Sequence, residues 1–439
     1  MAKLVQDASL TSVANAIRAK TGGTDQLTFP SGFVSAIEEI TTGGGATEPY
    51  IEETYDETTG ATASATFHGY TTVPTYKFIH QLWLVSVILP NEVTSIGQYA
   101  FYDCIRLALT SLPSGLTAIN DNVFAGCTNL ALTSLPSGVT SIGVSAFQSC
   151  TNLALTSLPS GVTSISDNAF DGCTNLALTS LPSGLTSIGA MAFRDCSSLA
   201  LTSLPSGVTS IGNNTFKGCT KLALTSLPSG VTSVSKSAFR QCTNLALTSL
   251  PSGVTSIGVN AFQSCTNLAL TSLPSGLTSI NDYAFDGCTK LALTSLPSGV
   301  TSVGKNAFAG CTNLALTSLP SGLTSIGVYI FDGCTSLALT SLPSGLTSIS
   351  TGAFAGCTNL ALTSLPSGIT SIGSRAFAKC TGLTSITFEG TPTSIDSGVF
   401  SSCTNLTSIK VPWAEGAVAN APWGATNATI TYNYTGEGE

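Results

Sequence analysis

Apolar residues along this chain recur on one fixed period. From Cys150 to Phe170 the order is Cys-Thr-Asn-Leu-Ala-Leu-Thr-Ser-Leu-Pro-Ser-Gly-Val-Thr-Ser-Ile-Ser-Asp-Asn-Ala-Phe, and the unit begins again at Cys173. All 14 cysteines lie on a single series of step 23, from Cys104 to Cys403. Phenylalanine precedes each by three residues, and Ile or Val by eight. Such regularity predicts a solenoid, in which one unit stacks on copies of itself. Within the unit, Leu153, Leu155 and Leu158 suit a short strand closed by Pro159 and the Ser160-Gly161 turn. Val162 to Ile165 suits a second extended segment. Asp167 to Phe170 suits about one turn of helix or 3₁₀-helix, capped by the Asp or Asn. Leu153, Leu158, Val162, Ile165, Ala169, Phe170 and Cys173 are the expected core layer. The expected fold class is therefore a repeat solenoid, mostly β with short helical or 3₁₀ turns, preceded by a small helical N-terminal segment.

The period also locates the ends. Counting back from Cys104 gives Gln81, yet Val73, Phe78, Leu84, Leu89 and Pro90 hold register, so 69–90 reads as a degenerate capping repeat. The array proper spans 91–410. Its last copies change pattern, with Leu383, Ile386 and Phe388, and 411–439 reads as a C-terminal cap and tail. Before the array, Leu10, Val13 and Ile17 share one helical face and Phe33, Ile37 and Ile40 another, giving a helical segment over 1–42. A Gly-rich joint and an acidic lead-in of β type fill 43–68.

Composition narrows the chemistry. Only 9% of the 439 residues are charged, about a third of the usual share, so Ser, Thr, Asn and Gly must cover most of the surface. The net charge is −8 and the basic residues are scattered singly, which disfavours nucleic acid as a partner. The N-terminus lacks the apolar core of a signal peptide, and no apolar run is long enough for membrane insertion. One cysteine per turn suits buried thiols better than a disulfide framework.

The motif Ala-Phe-x-x-Cys, followed by Leu and then Leu-Pro, resembles the BspA-type leucine-rich repeat over about 70–410. That family places Ile or Val six residues after Cys. The central copies here have Thr (Thr156, Thr179), with Leu moved to the fifth place (Leu155, Leu178). The strand is then either irregular or carries a Leu ladder facing solvent. The stretch from Leu10 to Phe33, and Val411-Pro412-Trp413 with Ala421-Pro422-Trp423-Gly424, resemble segments of tail and baseplate-associated proteins from phages of Gram-positive hosts. These resemblances imply a non-enzymatic binding protein, tail-associated and receptor-binding, made in the host cytoplasm and carried on the virion. Its implied partners are a host cell-surface glycan or protein, and other tail proteins through the N-terminal segment, with a homo-oligomer left open. A structural spacer arm and a bacterial BspA-like surface adhesin are the alternatives.

No cofactor or metal is expected. Zinc needs three or four converging donors, whereas each turn offers one thiol in apolar company, and His68 and His80 are the two histidines. Gly299 to Asn306 nearly spells a phosphate loop but lacks its final Ser or Thr, and its setting is wrong. No catalytic triad is recognisable. The acidic run Glu48, Glu52, Glu53, Asp56 and Glu57 reads as a solvated face, and His80 as a partly buried structural residue. The slots between Ile and Cys vary freely and should line the helical, convex side. Tyr99, Tyr102, Arg194, Lys236, Arg240, Tyr283, Tyr329 and Arg375 are the candidate ligand-binding residues there, since Tyr and Arg are favoured at interfaces.

Overall fold

Most 23-residue turns alternate one irregular segment, one short strand and one arc of tight turns. The computed structural model describes residues 49–436; the helical segment expected over 1–42 lies outside them. The short strand falls on the Val-Thr-Ser-Ile segment. Ser256–Ile257 pairs in parallel with Ser279–Ile280, rung for rung, and that with Ser302–Val303. The Ser-Gly preceding it is a tight turn in which Val162 N donates to Pro159 O at 3.1 Å.

The first segment departs from expectation. In the central copies Leu155 and Leu158 are both buried, with Thr156 and Ser157 exposed between them. Two successive outward residues break the period-two alternation that a strand needs. No strand forms in this segment in the copies from Cys104 through Cys334. Where Ile stands sixth after Cys, alternation returns: Ile386 and Phe388 point inward, and Ser385–Phe388 pairs with Ser408–Lys410. Leu155 is thus core, and the irregularity is what its placement costs.

The arc is not a helix. Ala146 N donates to Gly143 O, Gln148 N to Ser145 O and Cys150 N to Phe147 O, a run of three-residue closures. Ser145 (φ 51°) and Ser149 (φ 60°) are left-handed, which ends any helix after one bond. Positive φ at the third residue of a four-residue turn is the type II pattern. The peptides between point outward along the axis, so Ser145, Phe147 and Ser149 N–H groups reach Asp167, Ala169 and Asp171 O on the next turn at 2.9, 2.8 and 2.7 Å. The arc's N–H groups alternate between their own turn and the next, which is how this backbone is buried without orphan donors.

Side chains from both halves meet in one continuous core. Phenylalanine rings from Phe78 to Phe400 stack turn on turn, with centroids 5.3 to 5.7 Å apart and planes within 16° of parallel. Each cysteine Sγ lies 2.9 to 3.1 Å from the backbone oxygen of the phenylalanine one turn back, and donates to it.

Two non-repeating pieces close the ends. Strands β1 (Tyr50–Tyr55) and β2 (Thr62–His68) form a hairpin, with β3 (Thr72–Val73) and β4 (Ser86–Ile88) following in the first turn. β2 pairs in parallel with β4, and Phe67 packs edge-on against Phe78. At the other end, Thr429–Thr431 adds to Ser408–Lys410. Trp423 is fully buried there, with Phe388 and Trp413 centroids 5.9 and 6.2 Å away.

Candidate binding face

Two of the variable slots, five and one before the cysteine, are also conformationally demanding. Tyr99, Tyr283, Tyr329 and Arg375 stand five residues before their cysteines, at φ 57°, 56°, 50° and 57°. Asn fills the same slot at Asn122, Asn168, Asn214, Asn260 and Asn306, and Gly at Gly352 and Gly398. Those residues enter the left-handed region cheaply, whereas a bulky side chain there is strained. The slot therefore varies in size but not in backbone, and a Tyr in it carries a cost of about 1 kcal/mol or more.

The candidate residues share the arc but do not converge. Tyr102, Arg194 and Arg240 stand two before the cysteine and Lys236 six before, each in its own turn apart from the pair in one copy. Tyr99 and Tyr102 do meet, at 5.6 Å between centroids. Tyr76, one turn earlier, stacks on Tyr99 at 5.1 Å, and the His80 ring stands edge-on to Tyr102 at 5.3 Å. The position of Tyr76 one period before Tyr99 was the signal for it in the sequence. His80 is exposed, not partly buried, and its Nδ1 lies 3.2 Å from Asp103 Oδ2. Lys305 Nζ sits 5.6 Å from the Tyr283 ring. The Tyr329 ring lies over Gly352, so that a Cβ at 352 would collide with it. Gly352→Ala should therefore destabilise by about 1 kcal/mol or more, combining left-handed strain with the clash. A thermal melt checks this, and Tyr329→Asn in the same chain should recover part of the loss.

Arg194 is committed to its neighbours. It holds Asp171 through two hydrogen bonds, Nε to Oδ1 at 2.7 Å and Nη2 to Oδ2 at 2.6 Å, and Asp171 is itself buried. The hydrogen-bonded Asp171 carboxylate raises the guanidinium pKa. Gln148 joins the same carboxylate at 3.0 Å. Side chains two before the cysteine thus touch from turn to turn.

Much of the hydroxyl surface is also in use. Thr151 Oγ1 donates to Thr128 O, Thr174 to Thr151 O and Thr243 to Thr220 O, each at 3.3 Å. Such rows staple the coil rather than wait for a ligand. Two members of the acidic run are likewise engaged: Glu53 pairs with Lys77 at 3.0 Å, and Asp56 accepts N–H bonds from Thr58 and Thr59. The 14 cysteines are free and buried. Among the described residues no group of three or more His, Cys, Asp or Glu could hold a metal. Nor does any described helix have the length and apolarity to cross a membrane.

The family described as "BspA type Leucine rich repeat region (6 copies)" matches residues 71–200, 198–315 and 303–415. The chain belongs to the BspA type leucine-rich repeat family. Among solved structures, this BspA-type chain is similar to a leucine-rich repeat protein from Bacteroides ovatus. The two are 23% identical over 88% of this chain and 98% of that one, with a TM-score of 0.59. A leucine rich cell surface protein from Faecalibacterium prausnitzii is 25% identical over 84% and 96%, with a TM-score of 0.40. No curated protein matches the sequence. The first likeness supports the BspA-type solenoid fold.

Proposed function

We propose that this BspA-type array is a non-enzymatic binding surface displayed on a bacterial cell, of the adhesin kind, with the turn arc as its recognition face. The observation that carries the reading is the strained tyrosines. Tyr76, Tyr99, Tyr283 and Tyr329 occupy left-handed slots that most other copies fill with Asn, Gly or Ser, with Met191 and Arg375 as the other bulky occupants. Tyr76 is 54% exposed and Tyr329 36% exposed. Stacking offsets part of the cost at Tyr76 and Tyr99. A fold that needs no aromatic there, yet keeps several, is using them for contact, as tyrosine supplies large contact area at low entropic cost. The cell-surface placement follows the family, and the partner is a glycan or protein of another surface.

The phage-tail reading rests on the two terminal segments. Residues 10–33 lie outside the described structure. In the second segment Val411, Trp413 and Trp423 are buried, so closing the core accounts for them without a virion.

The test is a panel of immobilised glycans and extracellular proteins probed with the purified chain. Tyr99→Asn with Tyr102→Ala should abolish most retention. Stability should change by less than about 1 kcal/mol, because relief of left-handed strain offsets the lost ring stack. Unchanged retention in that variant would remove the arc as the recognition face.

A further inference from the structure

We propose that the middle of the arc, where Lys217, Lys236 and Arg240 stand together, binds a linear acidic polysaccharide. This deepens the binding reading above and rests on it.

The first observation is charge segregation. Between Cys196 and Asn281 there is no Asp or Glu, while Lys217, Lys221, Lys236 and Arg240 all fall in that stretch. The chain as a whole carries −8, so this is a cationic island on an acidic molecule. The second is stacking. Lys217 and Arg240 both stand two before their cysteines, in consecutive turns whose core rings are 5.6 Å apart. Side chains in this slot reach one another elsewhere along the array, as Gln263 reaches Asp286 at 2.8 Å. Asn214 N bonds Lys236 O at 2.9 Å and Gly218 N bonds Arg240 O at 2.8 Å, which sets the two arcs side by side. Lys236 lies in the same arc as Arg240, four residues before it, and is exposed.

The third observation is the lack of compensation. Among the described residues, none of Lys217, Lys236 and Arg240 pairs with a carboxylate. Arg240 Nε is buried without a hydrogen-bond partner. The flanks differ. Arg194 is neutralised by Asp171, with Asp195 at 3.9 Å, and beyond the island Gln263 holds Asp286. Adjacent like charges repel, and a fold gains nothing from leaving them unanswered. Clustered cations on a low-charge surface focus potential for an anionic ligand.

The residues beside the island choose among polyanions. Asn213, Asn214, Gln241 and Asn260, none of them buried, supply amides suited to sugar hydroxyls. The phenylalanines are the aromatic residues between Cys196 and Asn281, and all are core. Single-stranded nucleic acid needs exposed rings for base stacking, and this stretch has none, so an acidic glycan fits better.

The experiment measures binding of the full chain to polygalacturonate, neutral dextran and poly(dT) at low and high salt. Polygalacturonate should bind at low salt and be released by high salt, with dextran not binding. Lys217→Gln with Arg240→Gln should weaken it roughly tenfold or more with an unchanged melting curve, since exposed charge contacts act additively and are salt-screened. Lys290→Gln should leave it unchanged. Wild-type affinity in the double variant, absence of polygalacturonate binding, or tighter binding of poly(dT) would each overturn the inference. Because Tyr99→Asn should leave polygalacturonate binding intact, tyrosine-dependent retention that survives such an outcome would show that only the polysaccharide assignment had failed.

Discussion

Raising the pH should unfold the array abruptly, between about pH 9.5 and 11, with thiolate absorbance and loss of circular dichroism rising together. Burial pushes the Cys104 thiol up to about 12 and Cys403 to about 11. Interior thiols such as Cys150 and Cys242 are raised further by burial, with their stacked neighbours adding to it. The folded pKa lies above the unfolded value, near 9. The contribution to stability is thus fully present below about pH 9 and is lost as pH rises, because the unfolded chain releases protons that the folded chain keeps. Each thiol then costs up to about 1.4 kcal/mol per pH unit. A turn of 23 residues contributes net stability of roughly 1–3 kcal/mol. One ionisable thiol per turn therefore cancels a turn's stability within one or two pH units, at every turn together. Below this transition, thiol reagents should label none of the 14 cysteines in the folded chain and all of them in denaturant. Thiolate appearing near pH 9 with the fold intact would show that the cysteine ladder is open to solvent.

Phe239→Ala should cost about 3–5 kcal/mol, while Arg240→Ala beside it should cost little. Phe239 is fully buried and its ring lies 5.6 Å from both Phe216 and Phe262. Its removal leaves a gap in a stack that no neighbour can fill, since every turn is held at fixed register by its backbone bonds. A solenoid's stability is a sum of turns and nearest-neighbour interfaces. The loss at Phe239 therefore falls on two interfaces at once, and denaturant melts should split into two transitions on either side of the lesion. A single transition with a small shift would mean that the rings do not carry the coupling between turns.

The sequence by itself determined the architecture. A strict period leaves one way to bury Phe170, Cys173, Ile165 and Leu153, which is to stack them on their copies. The end caps were readable because Val73, Phe78 and Leu84 keep register after the cysteine is gone. Two other features were settled only by the tertiary structure. Whether Leu155 faced the core or solvent depended on the path of a backbone whose alternation fails between Leu155 and Leu158. The arc looked like a helix because Asp-Asn-Ala-Phe caps and starts one well in isolation. Stacking reverses that preference: the arc's peptides must offer N–H groups to the next turn, and positive φ at two slots is how they do so. The same constraint made the candidate face intelligible. Residues such as Tyr99, Tyr283, Tyr329 and Arg375, merely variable along the chain, prove to be side chains set on a fixed, left-handed backbone. The pairing that separates an engaged Arg194 from an unanswered Arg240 exists only between turns.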